Sequence, residues 1–254
     1  CDDIDEIKRL CSAKKILFLE DNCESLGSVF KEVKLGNFGF ASTFSFYVGH
    51  HMSTIEGGAV CTDDEKLATM LIIVRAHGWD RNLDRIRQTE LRTRNKINST
   101  VYSRYTFYDL GFNLRPTEIN GFIGNKQLGF LDEIVEKREK NFYYLAPPIF
   151  ELKERFYPLR FNHLGTVSNF AIPVICKTRK IKEELVRRCN GKIEIRPVVG
   201  GNISDQPFFR KYIRKVYLKT PNAKLVHDNG LYFGNNPELS KKEMELILRI
   251  FTKK

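Results

Sequence analysis

Short apolar runs alternate along this chain with segments of helical period, and that alternation confines it to a layered α/β architecture. Ile4, Ile7, Leu10 and Cys11 share one stripe of a helix over 3–13. Residues 15–19 form an apolar run of the kind a buried parallel strand shows, ending at Glu20-Asp21-Asn22. Over 40–47 the residues alternate, with Phe40, Ser42, Phe44 and Phe46 on one side and Ala41, Thr43, Ser45 and Tyr47 on the other. A short strand over 57–61 is followed by a helix over 63–76, whose acidic opening suits its N-terminus. Residues 80–107 are rich in Arg, Asn and Thr without an apolar stripe, and read as a long surface excursion. Pro116 starts a long helix with Ile119, Phe122, Ile123, Phe130, Leu131 and Ile134 on its buried side. Ala146-Pro147-Pro148 breaks that helix and marks a domain boundary. A strand at 169–175, a helix near 180–190 and a strand at 192–196 follow. The last helix opens on a capping box, Ser240 with Glu243, and buries Met244, Ile247, Leu248 and Phe251. The expected organisation is a large domain over 1–146 and a smaller C-terminal domain over 147–254.

The 254 residues suffice for one large domain or two modest ones. With 42% hydrophobic and 29% charged residues, the composition is that of a globular chain and not of a disordered one. No apolar stretch is long enough to span a bilayer, and no basic-then-apolar leader opens the chain, so a cytoplasmic location is expected. None of the six cysteines forms a CxxC pair, which points to isolated core thiols in a reducing compartment. Charge is lopsided. Residues 1–90 hold 11 basic and 15 acidic side chains, and residues 91–254 hold 31 and 16. The basic part suits a polyanionic partner or a solvated lysine-rich surface, and composition does not separate the two.

Short motifs exclude several chemistries. There is no GxxxxGK[ST], no GxGxxG after a strand, no GxSxG and no HExxH. His50 and His51 are adjacent, so on an extended segment they point apart, and no metal site is expected there.

Three ordered blocks carry more information. They are Leu19-Glu20-Asp21-Asn22-Cys23-Glu24-Ser25-Leu26-Gly27, then Thr43-Phe44-Ser45-Phe46-Tyr47-Val48-Gly49-His50-His51, then Glu56-Gly57-Gly58-Ala59-Val60. Further on come Gly111-Phe112-Asn113-Leu114-Arg115-Pro116, Arg196-Pro197 with Gly200-Gly201-Asn202, and His227-Asp228-Asn229-Gly230. Together they resemble the DegT-type sugar aminotransferase and dehydratase family, over nearly the whole chain. The resemblance implies the fold type I architecture of pyridoxal-phosphate (PLP) enzymes. Here that means a partial large domain with a mixed, mostly parallel sheet, plus a smaller C-terminal α+β domain. It also implies that the family's N-terminal portion, which helps grip the cofactor, is missing and that this sequence is partial, in keeping with a start at Cys1.

Site residues follow from the same resemblance. Asp21 sits at a strand's C-terminal end, where open α/β sheets place ligands, and a carboxylate there keeps a pyridine nitrogen protonated. Alone, it would read as a helix cap or turn residue. Ser45 is placed to hold a phosphate oxygen, or else is a solvent-facing strand residue. Glu24 hydrogen-bonds the cofactor ring hydroxyl or is a bystander. Asn113 resembles the residue that reaches the other subunit's cofactor phosphate, so a homodimer is implied. Arg196 is a candidate ligand for a carboxylate or phosphate. His227 is a candidate substrate contact. Both also fit plain structural roles.

The informative departure is at position 50. Most of the family has a lysine there, which binds PLP covalently, but here the residue is His50 and no lysine lies between Lys34 and Lys66. An imidazole forms no stable Schiff base, yet it moves protons near neutral pH. A branch of sugar 3-dehydratases makes the same exchange. It uses pyridoxamine phosphate (PMP) to remove the C3 hydroxyl of a nucleotide-linked 4-keto-6-deoxyhexose, with the histidine as acid and base. His77-Gly78-Trp79 is followed by no cysteine until Cys176. This resembles the type without an iron–sulfur cluster, whose substrate is GDP-linked and whose PMP is regenerated by an amino acid such as glutamate. Two alternatives stand beside it. One is an aminotransferase or inactive relative. The other is a nucleic-acid binder using Arg85, Arg87, Arg92, Arg94, Lys96 and Arg104 with Tyr102, Tyr105 and Phe107 interleaved, which is set aside because such residues also serve a nucleotide-sugar.

Overall fold

The computed structural model describes residues 3–213 and 219–253; the start at Cys1 noted above lies outside them. The chain divides into two compact units. The first takes the residues up to Cys23 together with Gly36–Gly129, and the second takes Glu24–Leu35 with the residues from Phe130 onward.

Asp3 caps α1 (Ile4–Ala13) by accepting the Glu6 N–H, and β1 (Leu19–Asp21) follows. The chain then enters the second unit for a hairpin of β2 (Val29–Phe30) and β3 (Val33–Lys34). Its two turn residues, Lys31 and Glu32, both have positive φ, as a tight hairpin turn requires. Back in the first unit, β4 (Ala41–Ser45) pairs parallel with β1 and antiparallel with β5 (Gly58–Cys61), giving the order β1-β4-β5. Asp64 caps α2 (Glu65–Val74) through the Leu67 N–H at 2.7 Å. Asp84 caps α3 (Arg85–Arg94), and Thr117 with Asn120 forms the capping box of α4 (Glu118–Leu128).

The second unit continues with α5 (Leu131–Phe150) and β6 (Leu164–Thr166), which pairs with β2 in the order β3-β2-β6. It then runs β7 (Ala171–Ile175), α6 (Arg179–Cys189), β8 (Ile195–Arg196), α7 (Pro207–Tyr212), α8 (Pro221–Asn229), β9 (Gly230–Gly234) and α9 (Lys241–Thr252). Strands β7, β9 and β8 make an antiparallel sheet with β9 in the middle. The largest core lies here. Phe142, Leu145 and Ile149 of α5 pack with Ile172, Leu185, Phe233 and Phe251. The Ser240–Glu243 capping box opens α9 as read from the sequence.

Several expectations are corrected. The apolar run over 15–19 is not buried: Ile16, Leu17 and Leu19 are exposed, and only residues from Leu19 onward form strand. Residues 80–107 are not a featureless excursion. They contain α3, a mostly polar helix that needs no apolar stripe because it buries no residue, Ile86 included. The helix expected from Pro116 starts at Glu118, stops at Gly129, and buries nothing over α4, leaving Ile119, Phe122 and Phe130 exposed. Pro147 and Pro148 do not break α5. Both lie in its last turn, before Phe150. Each proline costs ~3 kcal/mol in a helix interior, where it removes a hydrogen bond. Burying Phe142, Leu145, Ile149 and Phe150 on the same helix returns about 1.5–3 kcal/mol apiece. Of the cysteines described, Cys176 and Cys189 are buried, Cys11 and Cys23 are half-buried, and Cys61 is exposed.

Candidate active site

Because β1 and β4 run parallel, their C-terminal ends share one edge of the sheet. Asp21 ends β1 and Ser45 ends β4 at that edge, and the loop carrying His50 leaves from it before β5 returns. Alternation turns the neighbouring carboxylates to opposite faces. Glu20 is buried and grips the turn ahead of β4, accepting the N–H groups of Gly36 (2.7 Å), Phe38 (2.7 Å) and Gly39 (2.6 Å). Asp21 is exposed. Its Oδ1 accepts the Cys23 N–H at 3.1 Å and the Thr43 hydroxyl at 3.0 Å. The Cys23 side chain, the Cys23 and Thr43 hydrogen bonds and the nearby positive potential of His50 hold its carboxyl below the usual range, against a smaller opposing effect of burial. Asp21 is therefore an ionised carboxylate, with the charge of His50 the smallest of the effects that hold it so.

The loop after β4 is tightly specified. Ser45 Oγ accepts the Tyr47 N–H at 3.3 Å, the His50 N–H donates to the Tyr47 carbonyl at 3.0 Å, and the two rings meet edge-on at 5.9 Å. His50 is half-buried and His51 is buried. Phe46 N–H donates to the Gly57 carbonyl and Thr54 N–H to the Phe46 carbonyl, which closes the loop. Ile55 is held at φ +72°, a strained conformation for a β-branched residue. Asn120 of α4 braces this turn by donating to the carbonyls of Thr54 (2.8 Å) and Glu56 (3.2 Å).

Asn113 lies in the same unit, exposed and bridged to Ala76, with its Oδ1 accepting from Arg115 Nε at 3.2 Å. The other three sequence-derived candidates belong to the second unit. Glu24 is exposed, and its carbonyl accepts the Phe170 N–H. Arg196 is exposed and paired with Glu194 at 2.7 Å, and that carboxylate, then Tyr232, pushes its pKa up. His227 Nδ1 accepts the Asn202 N–H at 3.2 Å, so the assigned neutral tautomer carries its proton on Nε2. A Cβ on Gly201 would stand 2.3 Å from that Nδ1, and φ there is +57°, so the position needs glycine. Asp21, Ser45 and His50 thus share one sheet edge. Thr43, Cys23, Glu20 and Asn120, which hold them in place, were not singled out from the sequence.

This donor set suits a phosphorylated pyridine held without a covalent bond. It offers an ionised carboxylate, a strand-end hydroxyl and an imidazole, and residues 35–65 contain no lysine.

Comparison with known proteins agrees with the geometry. The model of the DegT/DnrJ/EryC1/StrS aminotransferase family matches residues 1–252. A GDP-4-keto-6-deoxy-D-mannose 3-dehydratase of Escherichia coli O55:H7 is 36% identical over 91% of this chain and 59% of its own length. The enzyme of the same name from Yersinia pseudotuberculosis is 31% identical over 99% and 63%. A crystal structure of GDP-4-keto-6-deoxymannose-3-dehydratase with a trapped PLP-glutamate geminal diamine superposes with a TM-score of 0.84 at 32% identity, over 99% of this chain and 64% of that one. The chain therefore spans about three fifths of the length of the relatives it matches, and its fold is that of PLP-dependent aminotransferases.

Proposed function

Because the chain belongs to the DegT/DnrJ/EryC1/StrS aminotransferase family, we propose that it carries the site of a PMP-dependent 3-dehydratase acting on a nucleotide-linked 4-keto-6-deoxyhexose, with GDP as the nucleotide. The observation that carries this reading is His50. It occupies the lysine position of the family's Ser-Phe block, on the sheet edge it shares with Asp21, in a stretch without lysine. Relatives named for this reaction support it, as does the glutamate trapped on PLP in one of them.

When bound, PMP supplies an amine for the C4 ketone of the sugar and a ring that takes up electrons. Asp21 keeps the ring nitrogen protonated, which its lowered pKa allows throughout the neutral range. Ser45 holds a phosphate oxygen. Glu24 is assigned to the ring hydroxyl. His50 would take the proton from the C4′ carbon of the bound cofactor and deliver one to the departing C3 hydroxyl, transfers for which an imidazole is suited. Arg196 is assigned to an anionic group of the substrate and His227, through its Nε2–H, to a substrate oxygen. An amino acid such as glutamate would restore the amine, leaving as its 2-oxo acid. Asn113 is assigned to the cofactor phosphate of a second copy. The exposed apolar side chains Leu110, Phe112, Leu114, Ile119 and Phe122 favour a homodimer that covers them. No helix among the described residues is long and apolar enough to cross a membrane, and the reading puts the enzyme in the cytoplasm.

The test is to add PLP to the purified chain, reduce with borohydride, and record intact mass with an absorbance spectrum. The expected result is a bound-cofactor spectrum without a covalent mass increment. A stoichiometric adduct on one lysine sinks the His50 assignment and returns the protein to the aminotransferases of its family.

A further inference from the structure

Two arginines in the first unit converge on one indole. Arg81 lies over the Trp79 ring at 3.8 Å and over the Tyr105 ring at 4.5 Å, and Arg115 lies over the same Trp79 ring at 5.8 Å. Each spends its Nε on a neutral oxygen, Arg81 on the Arg104 carbonyl at 2.7 Å and Arg115 on Asn113 Oδ1 at 3.2 Å. Neither has a carboxylate partner among the described residues. Other arginines nearby are neutralised: Arg92 pairs with buried Asp80 at 2.7 Å, and Arg87 pairs with Asp84 at 3.4 Å. Two uncompensated guanidinium groups on one ring repel each other, and aromatic contact offsets only part of that. Their terminal N–H groups remain free for an anion.

The platform beneath them is rigid. His77 and Gly78 both have positive φ, and a Cβ on Gly78 would stand 1.9 Å from the Asp109 carbonyl oxygen. The backbone of 74–79 is hydrogen-bonded to 108–112 through Gly78–Tyr108, His77–Phe112 and Val74–Phe112. Phe107 stacks on Trp79 at 6.1 Å, and the Asp80–Arg92 pair, joined by the Tyr108 hydroxyl at 3.4 Å, anchors the turn. Arg81, in contact with both the Trp79 and Tyr105 rings, has already lost much of its rotamer freedom, so forked binding of an anion costs little further entropy.

We propose that Arg81 and Arg115, positioned by Trp79, form a site for a phosphate-bearing ligand, and that the group bound is the diphosphate of the nucleotide-sugar substrate. The identity of the ligand rests on the dehydratase reading; the anion site itself does not. The cofactor's 5′-phosphate shares this chemistry, and the experiment separates the two sources. Trp79 is the only tryptophan in the chain, so its fluorescence reports on the site directly.

The full chain is titrated with GDP, inorganic pyrophosphate and PMP in separate series, while Trp79 emission and heat of binding are followed. Saturable binding of GDP and pyrophosphate is expected. Arg81→Gln and Arg115→Gln should each weaken both by about tenfold or more, the worth of a lost charge-assisted fork. Arg81→Lys should recover only part of the loss, because a point charge lacks the fork. Both side chains are exposed, and melting curves of the variants confirm retention of the fold. Equal affinities in the wild type and both glutamine variants overturn the site, as does the absence of saturable pyrophosphate binding to the wild type. If PMP alone depends on the two arginines, the diphosphate assignment is overturned in favour of the cofactor phosphate. GDP binding that ignores Arg81 while no lysine adduct forms removes this site and leaves the dehydratase reading standing. Arg81-dependent GDP binding together with a lysine adduct does the reverse.

Discussion

At the scale of single residues, one side chain separates two chemistries on the same fold. On the dehydratase reading, a primary amine at position 50 would bind the cofactor covalently, whereas an imidazole there moves protons. His50→Asn should lower dehydration about 10²–10⁴-fold, the usual contribution of a positioned acid–base group, and leave PMP affinity unchanged by equilibrium dialysis. Asp21 gives a prediction in pH. Its carboxyl is held below its unfolded value, so the stabilisation it provides is present above the unfolded carboxylate range and is lost as pH falls through the folded value. Melting temperatures of the wild type and Asp21→Asn should differ at neutral pH and converge only as pH falls below the usual carboxylate range. Asp21, Ser45 and His50 were legible in the sequence because they sit in consecutive blocks of one pattern. Thr43, Cys23 and Glu20 were not, because their roles depend on the register of β1 against β4 and on which turn a buried carboxylate reaches. The exposed Glu24, Arg196 and His227 fall in the second unit, and the sequence gives no signal of that division.

At the scale of elements, the Ser240–Glu243 capping box was the clearest local signal. Asp64, Thr178 and Ser240 each accept an N–H of the first turn of the helix they precede. Apolar pattern served less well. The stripe expected to bury α4 is exposed, and α3 forms without any stripe because Asp84 caps it and its last turn carries Arg92 and Arg94, where the helix dipole favours cations. A polar helix is invisible to a search for apolar period. Asn120 shows what α4 contributes instead. Its amide ties the carbonyls of Thr54 and Glu56, and its Oδ1 completes the Thr117 capping box. Asn120→Ala should cost about 1–3 kcal/mol, since it strips partners from half-buried groups, read as a lowered urea midpoint. It should also reduce turnover by loosening the loop that carries His50.

At the scale of the whole molecule, the chain crosses between its two units at Cys23, Leu35 and Gly129. The boundary expected near 146 falls near the C-terminal end of α5, inside the second unit, whereas the chain divides at Gly129, so local proline content misplaced it. The segment 24–35 supplies β2 to β6, and the buried Ser28 hydroxyl donates to the Ser168 carbonyl and accepts the Ser168 N–H, both at 2.9 Å. A fragment of 130–254 alone would leave those groups unpartnered. It should melt well below the same fragment with 24–35 tethered to it, by several degrees for each kcal/mol lost, as followed by circular dichroism. The sheet β7-β9-β8 carries a consequence for biosynthesis. Within this sheet the outer strands pair only with β9, and β9 is the last of the three to be made. About fifty residues separate the end of β7 from the start of β9, and at about 5–20 residues per second the ribosome needs several seconds to cover them. Until then Ile172 and Val174 emerge as an unzipped edge, and this sheet cannot close before β9 has left the ribosome.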